Sequence, residues 1–109
     1  MITPKIHHQI SAQGQILFVL ADKNYSVFYL ENGRKFVSGY TLKFHENILE
    51  PNQYLRINRS MLVKSSYVIH IKEGGKASYV VLQNGENVMI SRRKLKVLRE
   101  LHPHFFEAI

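Results

Sequence analysis

Three glycine-bearing turns, at Asn32-Gly33, Gly74-Gly75 and Asn84-Gly85, punctuate this chain, and each adjoins runs rich in β-branched and aromatic residues. Glycine reaches the positive φ that tight hairpin turns need, so runs joined in this way fold back antiparallel. Asn32-Gly33 joins residues 25–30 to 34–38 and reads as a two-residue turn with φ > 0 at both positions. Gly74-Gly75 joins 67–72 to 77–82, and Asn84-Gly85 leads into 87–90. A chain folded through short hairpins leaves little length for helices, so the expected fold is mainly β.

Between the first two turns lies the most patterned stretch, residues 54–64. Leu55, Ile57, Met61 and Val63 fall at odd positions, and Arg56, Asn58 and Lys64 at even ones. That alternation marks strands with one buried face. Arg59 and Ser60 interrupt it, where a bend or short turn lifts both side chains outward. Earlier, residues 15–21 form a near-continuous apolar run, short enough for a strand buried on both faces, and 22–24 are a polar loop. Residues 5–12, with Ile6 and Ile10 as their apolar anchors, read as a weak strand or extended arm. Thr41 can cap a helix over 42–49 whose face carries Leu42, Ile48 and Leu49, and Pro51 ends it. Phe18, Phe28 and Phe36 sit in apolar runs and belong to the core.

The 109 residues suit one domain. No apolar run approaches the length of a membrane helix, the N-terminus lacks a secretory layout, and a cytoplasmic protein is expected. The absence of cysteine excludes disulfides, thiolate metal sites and thiol nucleophiles. Fifteen Lys and Arg against eight Asp and Glu give a net charge of +7. Residues 55–109 hold ten of the basic side chains and only four acids. A basic half on a small domain is the electrostatic footprint of a polyanion, nucleic acid above all.

The chain's end concentrates that charge. Leu95, Leu98 and Leu101 have helical spacing, with Ser91 as N-cap. Arg92, Arg93 and Lys94 fill the first turn, where the helix dipole disfavours cations by about a few tenths of a kcal/mol. An external phosphate backbone would justify the arrangement. Catalytic constellations are missing, with no nucleophile elbow, no phosphate-binding Gly-rich loop and no paired carboxylates. His7-His8 and His102-x-His104 lack metal-ligand spacing, and His70 reads as a strand residue with a satisfied ring. No cofactor or metal is expected.

Arg56-Ile-Asn-Arg-Ser-Met-Leu-Val-Lys64 resembles the LytTR signature Arg-x-His-Arg-Ser-x-(Ile/Leu/Val)-Val-Asn. Asn84-Gly85 through Ile90-Ser91-Arg92-Arg93 resembles that family's closing segment, while Asn24-Tyr25 and Thr41-Leu42 match its opening. The likeness covers roughly 14–101, leaving 1–13 as an arm or edge strand and 102–109 as a tail. Asn58 stands where the family usually has His, and Lys64 where it usually has Asn. The resemblance implies about ten short strands in small antiparallel sheets, one helix near 41–49 and a short helix or turn from about 91. It further implies a bacterial transcription regulator that binds specific double-stranded DNA through loops entering the major groove. A second copy on an adjacent half-site is compatible, and the chain is either a stand-alone regulator or the DNA-binding end of a response regulator. Carried over by position, Asn24, Tyr25, Arg59 and Arg93 are the base-contact candidates. Lys23, Arg56, Ser60, Lys64, Ser91, Arg92 and Lys94 are the phosphate candidates. A basic β domain that binds RNA or a phosphate-rich signalling ligand is the alternative.

Overall fold

The computed structural model describes residues 5–106, with side chains from His8 onward. Eight strands form two antiparallel sheets among them. The five-stranded sheet contains β1 (Ile16–Asp22), β2 (Tyr25–Leu30), β3 (Lys35–Ser38), β4 (Tyr54–Asn58) and β5 (Met61–Lys64), in the order β3-β2-β1-β5-β4. The three-stranded sheet runs β6 (Val68–Lys72), β7 (Ser78–Leu82), β8 (Asn87–Ile90). Three helices accompany them, α1 (Lys5–Ser11), α2 (Leu42–Ile48) and α3 (Arg92–Leu101), with single 3-10 turns at Ser65–Tyr67 and Pro103–Phe106. The mainly β expectation holds, with eight strands in place of about ten.

The core divides at the larger sheet. Leu55, Ile57, Met61 and Val63, the four odd-numbered residues, are all buried and pack with the smaller sheet, Leu98 and Phe105. On the other face Ile16, Val19, Phe28 and Leu30 pack with Leu62, Ile10 of α1 and Leu42 of α2. The apolar run in β1 therefore serves both clusters, Phe18 and Leu20 facing one and Val19 the other. Its flanking side chains stay partly exposed, which corrects both burial expectations: β1, expected to be buried on both faces, is not, and β5, expected to bury one face, buries both through Leu62 and Val63.

Four further local expectations are corrected. From Lys5 to Ser11 the N-terminal arm is helical, because Ile6 and Ile10 are spaced one turn apart and a helix seats Ile10 in the core. Residues 1–4 and 107–109 of the expected arm and tail lie outside the described residues. The buried face of α2 is Leu42 and His45, whose Nε2 lies 2.8 Å from Ser38 Oγ. His70 Nδ1 is buried without a hydrogen-bond partner, so that ring is not fully satisfied.

The fourth correction concerns turn type. In both Asn-Gly hairpins the glycine alone has positive φ, 88° at Gly33 and 90° at Gly85. Gly33 N–H donates to Leu30 O and Leu30 N–H to Arg34 O, and the second hairpin repeats this with Gly85, Leu82 and Glu86. These are three-residue loops, a type I turn followed by a left-handed glycine. Each asparagine instead turns its Oδ1 inward to accept from the backbone N–H two residues on, at Arg34 and Glu86. A Cβ at either glycine would meet nothing within 4 Å, so backbone conformation alone demands glycine there. Gly33→Val or Gly85→Val should therefore lower stability by about 1 kcal/mol or more, read as a fall in thermal midpoint. Unchanged midpoints in both variants would refute the turn assignment.

Behind α3, His102 is 3% exposed and its Nε2 lies 3.1 Å from Pro51 O. Burial pushes its pKa below the usual 6.5, and His104 adds to this while the Pro51 carbonyl opposes it. The folded protein thus holds the ring neutral at pH values where the unfolded chain already takes up a proton. The stability this contributes is complete above about pH 6.5 and is lost as pH falls through the depressed folded value. His102→Gln should flatten that acid-side decline in thermal midpoint; parallel curves for wild type and variant would remove His102 as its source.

Candidate nucleic-acid interface

Register brings three distant segments of the chain to one end of the larger sheet. β1 and β2 meet through a two-residue turn, Lys23-Asn24, with Asp22 opposite Tyr25. Lys23 holds φ 57°, an unusual conformation for a side chain without a local polar group. β4 and β5 meet through Arg59-Ser60, with Asn58 opposite Met61. Since β1 pairs with β5, and Ala21 N–H donates to Ser60 O at 2.8 Å, these two turns are neighbours. Lys23, Asn24, Tyr25, Arg59 and Ser60 are all exposed there.

The third segment is fastened by two hydrogen bonds between the sheets. Ser91 N–H donates to Ile57 O at 3.1 Å, and Asn58 Nδ2 donates to Met89 O at 2.8 Å. The strand leaving the smaller sheet is thereby held against the Arg59 turn. Ser91 Oγ then accepts from Lys94 N–H and caps α3, whose first turn exposes Arg92 and Arg93 and contains no acid. Its apolar stripe is narrower than the leucine spacing suggested, because Leu98 is buried while Leu101 is 49% exposed.

Arg56, Asn58 and Lys94 are engaged within the protein. The Arg56 guanidinium donates to Asn58 O (2.7 Å), Arg59 O (3.0 Å) and Glu46 Oε1 (2.5 Å). Lys94 Nζ approaches the other oxygen of Glu46 at 3.7 Å. Asn58 Oδ1 accepts from Ser60 N–H at 2.8 Å, closing the turn from its side-chain end. Lys64 is apart from all of this. It pairs with Tyr54 at the far end of the hairpin, its Nζ 3.4 Å from Gln15 Oε1.

Two contributors were not evident in the sequence. Glu46 sits on a helix whose link to β4 and α3 appears only on folding. Lys76 follows the glycine pair, and Ser78 pairs with Ile90, so its loop adjoins α3. Lys76, Gly74 and Gly75 line a cleft of ≈ 300 Å³ with Ser91 and Arg92. A lysine directly after a glycine turn was the available signal for it.

The sequence matches the family model described as the LytTr DNA-binding domain over residues 9–102. No curated protein matches the chain. Among solved structures, the LytTr DNA-binding domain of a response regulator from Bacillus cereus is similar to it, with a TM-score of 0.70. That likeness spans 80% of each chain at 20% identity, and so concerns the fold. A family match over nearly the whole chain, on a structure with the corresponding fold, places this protein in the LytTr DNA-binding domain family.

Proposed function

We propose that this protein is a sequence-specific double-stranded DNA-binding domain of a bacterial transcription regulator, reading bases with the end of the larger sheet. One observation carries the proposal: the turns at 23–24 and 59–60 and the first turn of α3 present exposed cations side by side on braced backbone. Arg59 and Arg93 have the planar donor fork that matches guanine O6 and N7 in a major groove. Asn24 and Tyr25 join them as base-contact candidates. Lys23, Ser60, Arg92 and Lys76 are suited to phosphates, and Ser91 contributes through the helix terminus it caps. Lys64 belongs to the other end of the hairpin, and Arg56 and Lys94 support the contact surface from behind.

Selection from a random duplex library tests the proposal directly. An enriched motif is expected, and a repeated one would reveal a second copy on an adjacent half-site. Equal binding of scrambled DNA and of RNA of the same length would replace specific regulation with general polyanion binding. With about five phosphates engaged, log K should fall with log salt at a slope of roughly −4 to −5. A slope near zero would remove the nucleic-acid reading.

Arg93→Lys keeps charge and loses the fork. On the selected duplex it should cost about 1–3 kcal/mol, with binding to scrambled duplex nearly unchanged. Arg92→Ala should weaken both duplexes alike and make the salt slope shallower by about one. Equal losses on both duplexes for Arg93→Lys would make Arg93 a phosphate contact and move base reading to Arg59 or the 23–24 turn.

A further inference from the structure

A carboxylate close to a DNA-binding surface ordinarily opposes binding, because it repels phosphate. Glu46 is such a carboxylate, yet its surroundings give it another role. It extends from α2 to the Arg56 guanidinium at 2.5 Å and to Lys94 Nζ at 3.7 Å, with 29% of its side chain exposed. Arg56 is less exposed still, and its remaining contacts are the carbonyls of Asn58 and Arg59, the two residues that enter and form the β4–β5 turn. Glu46 thus fixes the plane of the guanidinium that holds the Arg59 turn. Through its other oxygen it steadies the first turn of α3, which Asn58 and Ser91 already tie to β4.

We infer that Glu46 is a positioning residue for DNA recognition: an acid whose removal weakens specific binding although it makes the surface more basic. This rests on the DNA-binding function proposed above. Without the carboxylate, Arg56 is an unneutralised cation drawn toward water and phosphate, and only its own hydrogen bonds to the two turn carbonyls still orient its fork. The Arg59 turn and the first turn of α3 then keep only the Ser91–Ile57 and Asn58–Met89 hydrogen bonds between them, and their separation is less narrowly fixed. Direct base contacts depend on that separation, whereas diffuse attraction to the phosphate backbone does not.

The opposite signs make the test sharp. Glu46→Gln should lower affinity for the selected duplex about tenfold, comparable to losing one hydrogen bond to a charged group. Affinity for scrambled duplex should stay equal or rise, because a negative charge has gone. Arg56→Lys, which keeps charge and loses the fork, should lower specific affinity to a similar extent. The double variant should be little worse than either single one, since both act through the same clamp. Thermal midpoints and circular dichroism identify any variant that merely unfolds, in which case the other decides. Amide hydrogen exchange without DNA should quicken at 58–60 and 91–94 in Glu46→Gln and stay unchanged in β6 and β7. A selected-duplex affinity that is unchanged or higher in Glu46→Gln overturns the inference and leaves the DNA-binding function standing. If wild type binds no duplex selectively, that function fails instead, and the exchange measurement still decides whether Glu46 braces the two segments.

Discussion

The burial of β5 on both faces is the constraint on which the rest of the structure depends. Leu62 and Val63 are consecutive, 1% and 0% exposed, and belong to different core clusters. Successive side chains of a strand point to opposite faces, so both can be buried only between two layers. Helices α1 and α2 supply one layer; the smaller sheet, α3 and the C-terminal 3-10 turn supply the other. Fully burying side chains of this size is worth about 1.5–3 kcal/mol each, and a one-residue slip would reverse every one of them. Register is therefore firmly set, and with it the position of the Arg59 turn at the strand's end. β1, paired along the other edge of β5, fixes the 23–24 turn by the same constraint.

Apolar burial sets where the turns lie, and polar contacts set how rigidly they point. Asn58 uses both ends of its amide, accepting from Ser60 N–H and donating to Met89 O. A histidine, the family's usual residue by the signature, would offer one donor and one acceptor only while neutral. Asparagine keeps both at any pH. The Arg56–Glu46 pair, mostly withdrawn from water, is weak grounds for stability because desolvation offsets much of its attraction. Its contribution is geometric: three acceptors on two segments of chain are held by one planar group.

The charge arrangement then has a physical reason. Three cations at the start of α3 oppose the helix dipole, and among the described residues only Lys94 of the three is paired with an acid, Glu46. Capping by Ser91 and burial of Leu98 offset that cost, so the helix forms with Arg92 and Arg93 left facing outward. Further along, Arg99 is paired with Glu73 within the protein, whereas Arg92 and Arg93 stay exposed.

Much of the fold was legible in the sequence because its signals are local. Alternation at 55, 57, 61 and 63 gave the buried face of the central hairpin, the Asn-Gly pairs marked two turns, and Thr41 and Ser91 marked two helix starts. Each depends on residues within a few positions, where backbone sterics and side-chain period decide the outcome. Locality also explains the errors. Ile10 favours a helix only where a core receives it, His45 is buried only because Ser38 and Phe28 pack against it, and turn type depends on the hydrogen bonds of the flanking strands. The sequence by itself determined a mainly β chain with a basic second half and nominated the Arg59 and Ser91 segments. Tertiary structure alone decided that the Arg59 segment lies beside both the 23–24 turn and the Ser91 segment, that Lys64 lies apart from them, and that Glu46 stands behind the Arg59 and Ser91 segments. Those relations join residues tens of positions apart, and they arise from strand pairing and two-sided burial, which no local pattern encodes.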